Sequence, residues 1–185
     1  MKRTFIAIKI NPEQPLLNLI SELKEKLKSE QLKWVEEHNL HLTLHFIGET
    51  SPDQVKAVSN ILQIATKNHP VFKLNLSGTG YFGTFNRPAV LHVNIENNAE
   101  LQLIVNDIAK GLTALGLPGN LKSFSPHLTL ARMKQLQNLQ HFHAMVEKSK
   151  VQYLQSTEVT EIIYYESILL PAGPVYKPIQ VFKLK

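Results

Sequence analysis

Apolar and polar positions follow two periods along this chain, and the switches between them lay out the elements. Phe5 to Ile10 is an apolar, β-branched run and reads as a buried strand. After Pro12 and Pro15, Leu16, Ile20, Leu23 and Leu27 recur at helical spacing, which predicts an amphipathic helix from Pro15 to Ser29. Lys33-Trp34-Val35 reads as a short strand, and Asn39 to Gly48 as a longer one closed by Gly48. Ser51-Pro52-Asp53-Gln54 is a helix start: Ser51 caps, Pro52 fits the first helical position and Gln54 completes a capping box. Val55, Val58, Leu62 and Ala65 form its buried stripe. Val71 to Ser77 alternates, and Gly78, Gly80 and Gly83 then predict a loop carrying Tyr81, Phe82 and Phe85.

The second half repeats the layout. Ala89 to Ile95 is a strand, and Asn98 caps a helix with Leu101, Ile104, Ile108 and Leu115 inward, ended by Gly116. A loop is expected over 118–123. A strand follows within Phe124 to Arg132, with Pro126 at its entry. Leu136, Leu139, Phe142 and Val146 predict a helix. Glu158 to Leu169 reads as one strand, residues 171–174 as a turn, and Tyr176 to Leu184 as a last strand. Each half thus reads strand, helix, strand, helix, strand. This predicts one bilobal domain over 1–185, a tandem duplication of a β-α-β-α-β unit with facing sheets.

The duplication draws attention to one repeat. His41-Leu42-Thr43-Leu44 recurs as His127-Leu128-Thr129-Leu130. A chance recurrence of a His-initiated tetrapeptide is expected on the order of once in tens of thousands of chains of this size. Strand side chains alternate between faces. Each copy therefore packs two leucines on a core and presents an imidazole and a hydroxyl together. Two such strands across a cleft would offer two His and two Thr.

Composition narrows the chemistry. There is no cysteine, which excludes disulfides, thiolate metal sites and a cysteine nucleophile, and fits a reducing cytoplasm. The hydrophobic fraction of 43% is that of a globular protein. Met1 to Phe5 runs straight into a strand, so no signal peptide is expected, and no apolar run reaches the length of a membrane span. Net charge is +5, which suits a polyanionic partner as well as solvated lysines. Paired histidines serve as acid and base at one pH, and in-line displacement at a phosphodiester needs both at once. The threonines can donate to non-bridging phosphate oxygens. Neither motif holds a carboxylate, no nucleophile elbow, P-loop or dinucleotide fingerprint is present, and neither metal nor cofactor is expected.

Paired H-x-T-x motifs in a duplicated chain resemble the 2H phosphoesterase superfamily. The flanking words resemble one branch of it, the RNA 2′,3′-cyclic phosphodiesterases, also called 2′-5′ RNA ligases. These words are Phe5-Ile6-Ala7-Ile8, Trp34-Val35, Asn39-Leu40 before the first motif, Phe46-Ile47-Gly48 after it, Ser125-Pro126 before the second, Ala131-Arg132 after it, Glu166-Ser167 and Gly173-Pro174-Val175-Tyr176. The resemblance implies an α+β fold of two pseudo-symmetric lobes, with antiparallel sheets and outer helices around a central cleft. It implies hydrolysis of RNA 2′,3′-cyclic phosphate ends to 2′-phosphates without metal, and a weaker joining of 2′-5′ linkages. It implies RNA 3′ ends as partner, His41 as acid and His127 as base; a monomer in the cytoplasm is expected beside it. Substrate contacts are expected from four residues. His45 follows the motif on the cleft face by strict alternation, as a phosphate contact or an ordinary strand-end residue. Arg132 points away by the same rule unless a bulge turns it inward. Tyr81 and Phe82 sit on the expected loop, where they could stack on a base. The alternatives are a cyclic phosphodiesterase acting on a nucleotide or nucleotide-sugar, and a non-catalytic RNA-binding module.

Overall fold

The computed structural model describes residues 1–118, 124–171 and 173–185. In order they form β1 (Lys2–Lys9), α1 (Gln14–Lys26), β2 (Gln31–Trp34), a 3₁₀ turn (Glu37–Asn39), β3 (His41–Thr50), α2 (Pro52–Asn68), β4 (Phe72–Thr84) and β5 (Arg87–Ile95). There follow α3 (Ala99–Ala114), β6 (His127–Gln135), α4 (Leu139–Lys148), β7 (Tyr153–Val159), β8 (Glu161–Leu170) and β9 (Gly173–Lys183). The strands make two antiparallel sheets, ordered β3-β1-β8-β9 and β2-β6-β5-β4-β7.

The helix signals act as read. Ser51 Oγ accepts from Gln54 N–H at 3.3 Å while the Gln54 side chain accepts from Ser51 N–H at 2.9 Å, closing the capping box of α2. Asn98 Oδ1 accepts from Leu101 N–H at 3.0 Å at the start of α3. Gly116 takes φ +70° just beyond the C-terminus of α3. Leu16, Leu23, Leu62, Ile104 and Phe142 from the four helices are all but inaccessible. They join Leu42, Leu44, Leu128 and Leu130 of the motif strands in one core. A buried Leu truncated to Ala in such a core costs about 2–5 kcal/mol, so these leucines fix the motif strands firmly.

Several expectations are corrected. Residues 78–83 are not a loop: β4 runs through them to Thr84 and pairs with β5 in a hairpin turned by Phe85 and Asn86. Each glycine has a reason to sit in a strand. Gly78, at φ +70°, lies where a Cβ would be 1.9 Å from the Lys150 carbonyl oxygen, and Gly80 passes the His92 ring at a distance no Cβ allows. Leu115 is exposed, and Leu112 takes its place in the core. Glu158 to Leu169 is two strands: the chain leaves one sheet after Val159 and enters the other at Glu161. Each half also lends two strands to the other sheet: β2 and β4 pair with β6 and β5, and β8 pairs with β1 and carries β9. Beyond Pro118, the loop expected over 118–123 lies outside the described residues, as does residue 172 of the expected turn.

Candidate active site

The two motif strands are built alike. Asn39 and Ser125 each stand two residues before their histidine. His41 Nδ1–H donates to the Asn39 carbonyl at 2.6 Å, and His127 Nδ1–H donates to the Ser125 carbonyl at 2.7 Å. A carbonyl only accepts, so each ring carries its proton on Nδ1 when neutral, and Nε2 is the nitrogen free to take or give a proton. Each imidazole is also held by aromatic rings. His41 lies between Phe5 and Tyr176, both centred 5.2 Å away. His127 lies between Phe82 at 4.7 Å and His92 at 5.4 Å.

The motif leucines are buried, and the motif threonines share the other face with their histidines. His41, Thr43 and Thr129 line one cleft of about 980 Å³. Burial pushes the His41 imidazolium below its ordinary 6.5, and the charge of His127 pushes the same way, against the Asn39 carbonyl. Among the described residues, no group of three or more His, Cys, Asp or Glu side chains gathers as metal ligands do, and no helix is long and apolar enough to cross a membrane.

Both motif strands carry a bulge at the same place. Ala7 pairs with Thr43 and Ile6 with His45, leaving Leu44 unpaired. His92 pairs with Thr129 and Leu91 with Ala131, leaving Leu130 unpaired. The extra residue reverses the alternation beyond it. His45 is therefore not on the cleft face, as strict alternation implied. It is 3% exposed, and Nε2–H donates to the Val105 carbonyl of α3 at 3.0 Å. Residues 46 and 132, one step further, swing onto the cleft, and Phe46 and Arg132 both line it. Arg132 reaches inward by the bulge that strict alternation lacks.

The aromatic pair on β4 divides. Phe82 stands against His127 and His92, the latter at 4.3 Å. Tyr81 faces the other way, onto Phe142 and His143 of α4, so it does not reach the cleft. Phe85 stacks on His143 at 4.2 Å, also on the α4 side.

Sequence reasoning missed His92, Arg3 and Tyr176. His92 was within reach, since Leu91 and Val93 are inward-facing and their intervening neighbour must lie on the opposite face of the sheet, where it meets His127. It is 6% exposed, its Nδ1 has no hydrogen-bond partner among the described residues, and burial followed by the charge of His127 depresses it to about 4. Arg3 and Tyr176 line the cleft from β1 and β9. Burial raises the Tyr176 phenol, opposed by the positive charges of Arg132 and Arg3.

Comparison with known proteins follows the same lines. Residues 8–92 match the family described as LigT like Phosphoesterase. The chain is 31% identical to an RNA 2′,3′-cyclic phosphodiesterase of Aquifex aeolicus over 89% of its own length and 91% of that protein's. It is 33% identical to the protein of that name from Methanocaldococcus jannaschii, over 96% and 98%. The crystal structure of E. coli LigT complexed with 3′-AMP superposes with a TM-score of 0.79 at 24% identity, covering 100% of this chain and 98% of that one. This last likeness is one of fold.

Proposed function

We propose that this chain, which belongs to the LigT-like phosphoesterase family, hydrolyses 2′,3′-cyclic phosphates at RNA ends to 2′-phosphates, with its paired histidines as acid and base. The observation that carries the reading is the matched anchoring of the two rings. Each Nδ1 is tied to a backbone carbonyl, each Nε2 is free, and a threonine hydroxyl accompanies each on its strand.

Water attacks phosphorus while the bond from phosphorus to O3′ breaks. His127 Nε2 takes the proton of the attacking water, and His41 Nε2–H gives its proton to the departing O3′. General acid and base groups contribute about 10²–10⁴-fold each. Thr43 and Thr129 donate to the non-bridging oxygens, where negative charge builds. Arg132 neutralises the phosphate at the cleft wall. An acid role for His41 requires its imidazolium, which burial disfavours in the free protein. The phosphate anion supplies the compensating charge on binding, so the acid is armed by its substrate. The same displacement with a ribose hydroxyl in place of water joins ends through a 2′-5′ linkage. In this reading the chain works as a monomer in the cytoplasm and uses no metal, because the donor set is imidazole and hydroxyl without a carboxylate.

An oligonucleotide ending in a 2′,3′-cyclic phosphate, incubated in excess EDTA, tests this. The wild type is expected to open the ring, and His41→Ala and His127→Ala to slow kcat at least a hundredfold each. Undiminished turnover in either variant refutes the mechanism, and loss of wild-type activity in EDTA refutes metal independence.

A further inference from the structure

Beyond His41, Thr43 and Thr129 the cleft continues along β2, the 3₁₀ turn and the tip of the β8–β9 hairpin. Its volume of about 980 Å³ stands at the top of the range of roughly 300–1,000 Å³ usual for small-molecule sites. The side chains that line this flank are open to solvent. Phe46 is 50% exposed, and the Arg3 guanidinium lies 5.0 Å over its ring. Trp34 stands on β2 nearby, and Leu169, Leu170 and Val175 overhang from the hairpin, each more than two-fifths exposed. Open aromatic and aliphatic side chains gathered at a groove mark a binding surface rather than a core.

The charges on this flank have a matching oddity. Lys33 of β2 is directly opposite Arg132 of β6 in the sheet register, and both line the cleft. Like charges directly opposite one another destabilise a strand pair. Among the described residues neither they nor Arg3 has an ion-pair partner, although Glu36 also lines the groove. A bound polyanion relieves that repulsion. Interleaved cations and stacking rings form the pattern that holds single-stranded nucleic acid.

Position along the strand says which nucleotide is held. Phe46 is three residues past Thr43 on β3, about 10 Å along the strand at its usual rise. That is a step beyond the reacting phosphate. We propose that this flank is a second-nucleotide subsite. The base 5′ to the reacting end stacks on the face of Phe46 that Arg3 leaves open, and the phosphate joining the two nucleotides sits against Lys33, across the sheet from the Arg132 that holds the reacting phosphate. The inference rests on the proposed RNA-end activity and adds to it that the substrate is a strand, not a mononucleotide. The two bulges give the site its direction. They deliver an aromatic ring at position 46 and a guanidinium at position 132, so the pseudo-symmetric cleft receives its strand one way round.

Two measurements test it. The first compares kcat/KM for a trinucleotide and a mononucleotide, both ending in a 2′,3′-cyclic phosphate. The wild type is expected to favour the trinucleotide, and Phe46→Ala to cut that preference by about 5- to 150-fold, the range for loss of one base–aromatic stack. Phe46→Tyr is expected to keep it. The second needs no turnover: fluorescence anisotropy with a labelled trinucleotide ending in a 2′-phosphate. Here Phe46→Ala is expected to raise Kd over the same range, and Lys33→Ser to lower the slope of log K against log salt by about 0.7. Equal kcat/KM for both substrates in the wild type overturns the subsite, as does a Phe46→Ala preference and Kd equal to wild type. Failure of the wild type to open either substrate counts against the proposed activity instead, and the anisotropy still decides the subsite.

Discussion

His92 makes the stability of this protein sensitive to acid in a calculable way. The ring is wedged among Phe82, His127 and the bare backbone of Gly80, where a Cβ would come 2.8 Å from its Cε1. Its pKa falls from the ordinary 6.5 to about 4, first by burial and then by the charge of His127. A depressed imidazole binds fewer protons in the folded state than in the unfolded one between those two values. The stabilisation is therefore complete above pH 6.5 and drains away as pH falls toward 4. Linkage at face value removes about 1.8 kcal/mol between pH 7 and pH 5. The ring is not fully enclosed, and screening of its charge by solvent brings the expected figure to about 1 kcal/mol.

The perturbation is His92→Gln, which keeps a polar side chain and removes the titration. Urea unfolding of both proteins at pH 7, 6 and 5 is the assay. His41 and His45, which burial also lowers, titrate alike in both proteins and cancel in the difference. The wild type is expected to lose about 1 kcal/mol more than the variant between pH 7 and 5, at unchanged m. Equal losses in the two proteins refute the reasoning.

Four further outcomes are expected. Gly78→Ala forces a Cβ toward the Lys150 carbonyl at a left-handed φ, and thermal unfolding should show a loss of about 2–4 kcal/mol. Ser51→Ala opens the capping box of α2 and should cost about 1 kcal/mol in urea unfolding. Thr43→Val and Thr129→Val should each lower kcat on a cyclic-phosphate end by about 10²-fold with little change in KM. With His41 as the acid, activity falls as pH rises through its pKa, so that limb should lie below pH 6.5 in kcat/KM and shift upward in kcat, where bound phosphate favours the imidazolium.

The local signals in this sequence were legible because each is satisfied by neighbours in the chain. The capping box at Ser51, the Asn98 cap and the leucine stripes need only a helix to act on. Signals whose meaning lies across the fold misled. Three glycines in six residues read as a loop, yet Gly78 and Gly80 are there because Lys150 and His92, distant in sequence, come too close for a side chain. The run from Glu158 to Leu169 holds neither Gly nor Pro, so nothing local marks the change of sheet at Thr160, where the carbonyl accepts from Leu184 N–H instead of a β-neighbour. The exchange of strands between the sheets is likewise a matter of pairing partners. The correspondence between β3-β1-β8-β9 and β6-β5-β4-β7 that it creates supports a duplicated origin for the single bilobal domain we propose.

The site itself was half legible, and the bulges decide where the reading stopped. The His and Thr of each motif precede the bulge, so period-two alternation placed all four on the cleft face. The fifth and sixth residues follow it, and there the same rule inverted. It sent His45 to the cleft and Arg132 away, whereas His45 ties β3 to α3 and Arg132 lines the cleft. A bulge has no residue signature here: Leu44 and Leu130 are ordinary core leucines, 4% and 1% exposed. Their hidden role is to be counted twice by the neighbouring strand. Two consecutive inward residues, Leu44-His45 and Leu130-Ala131, let each strand bury its core face while turning the next side chain outward again. Had either strand kept strict pairing, Phe46 or Arg132 would face the core, and an uncompensated guanidinium there would cost several kcal/mol. The bulge after each H-x-T-x motif is thus what adds a third side chain, Phe46 or Arg132, to the face that the His and Thr of the motif present.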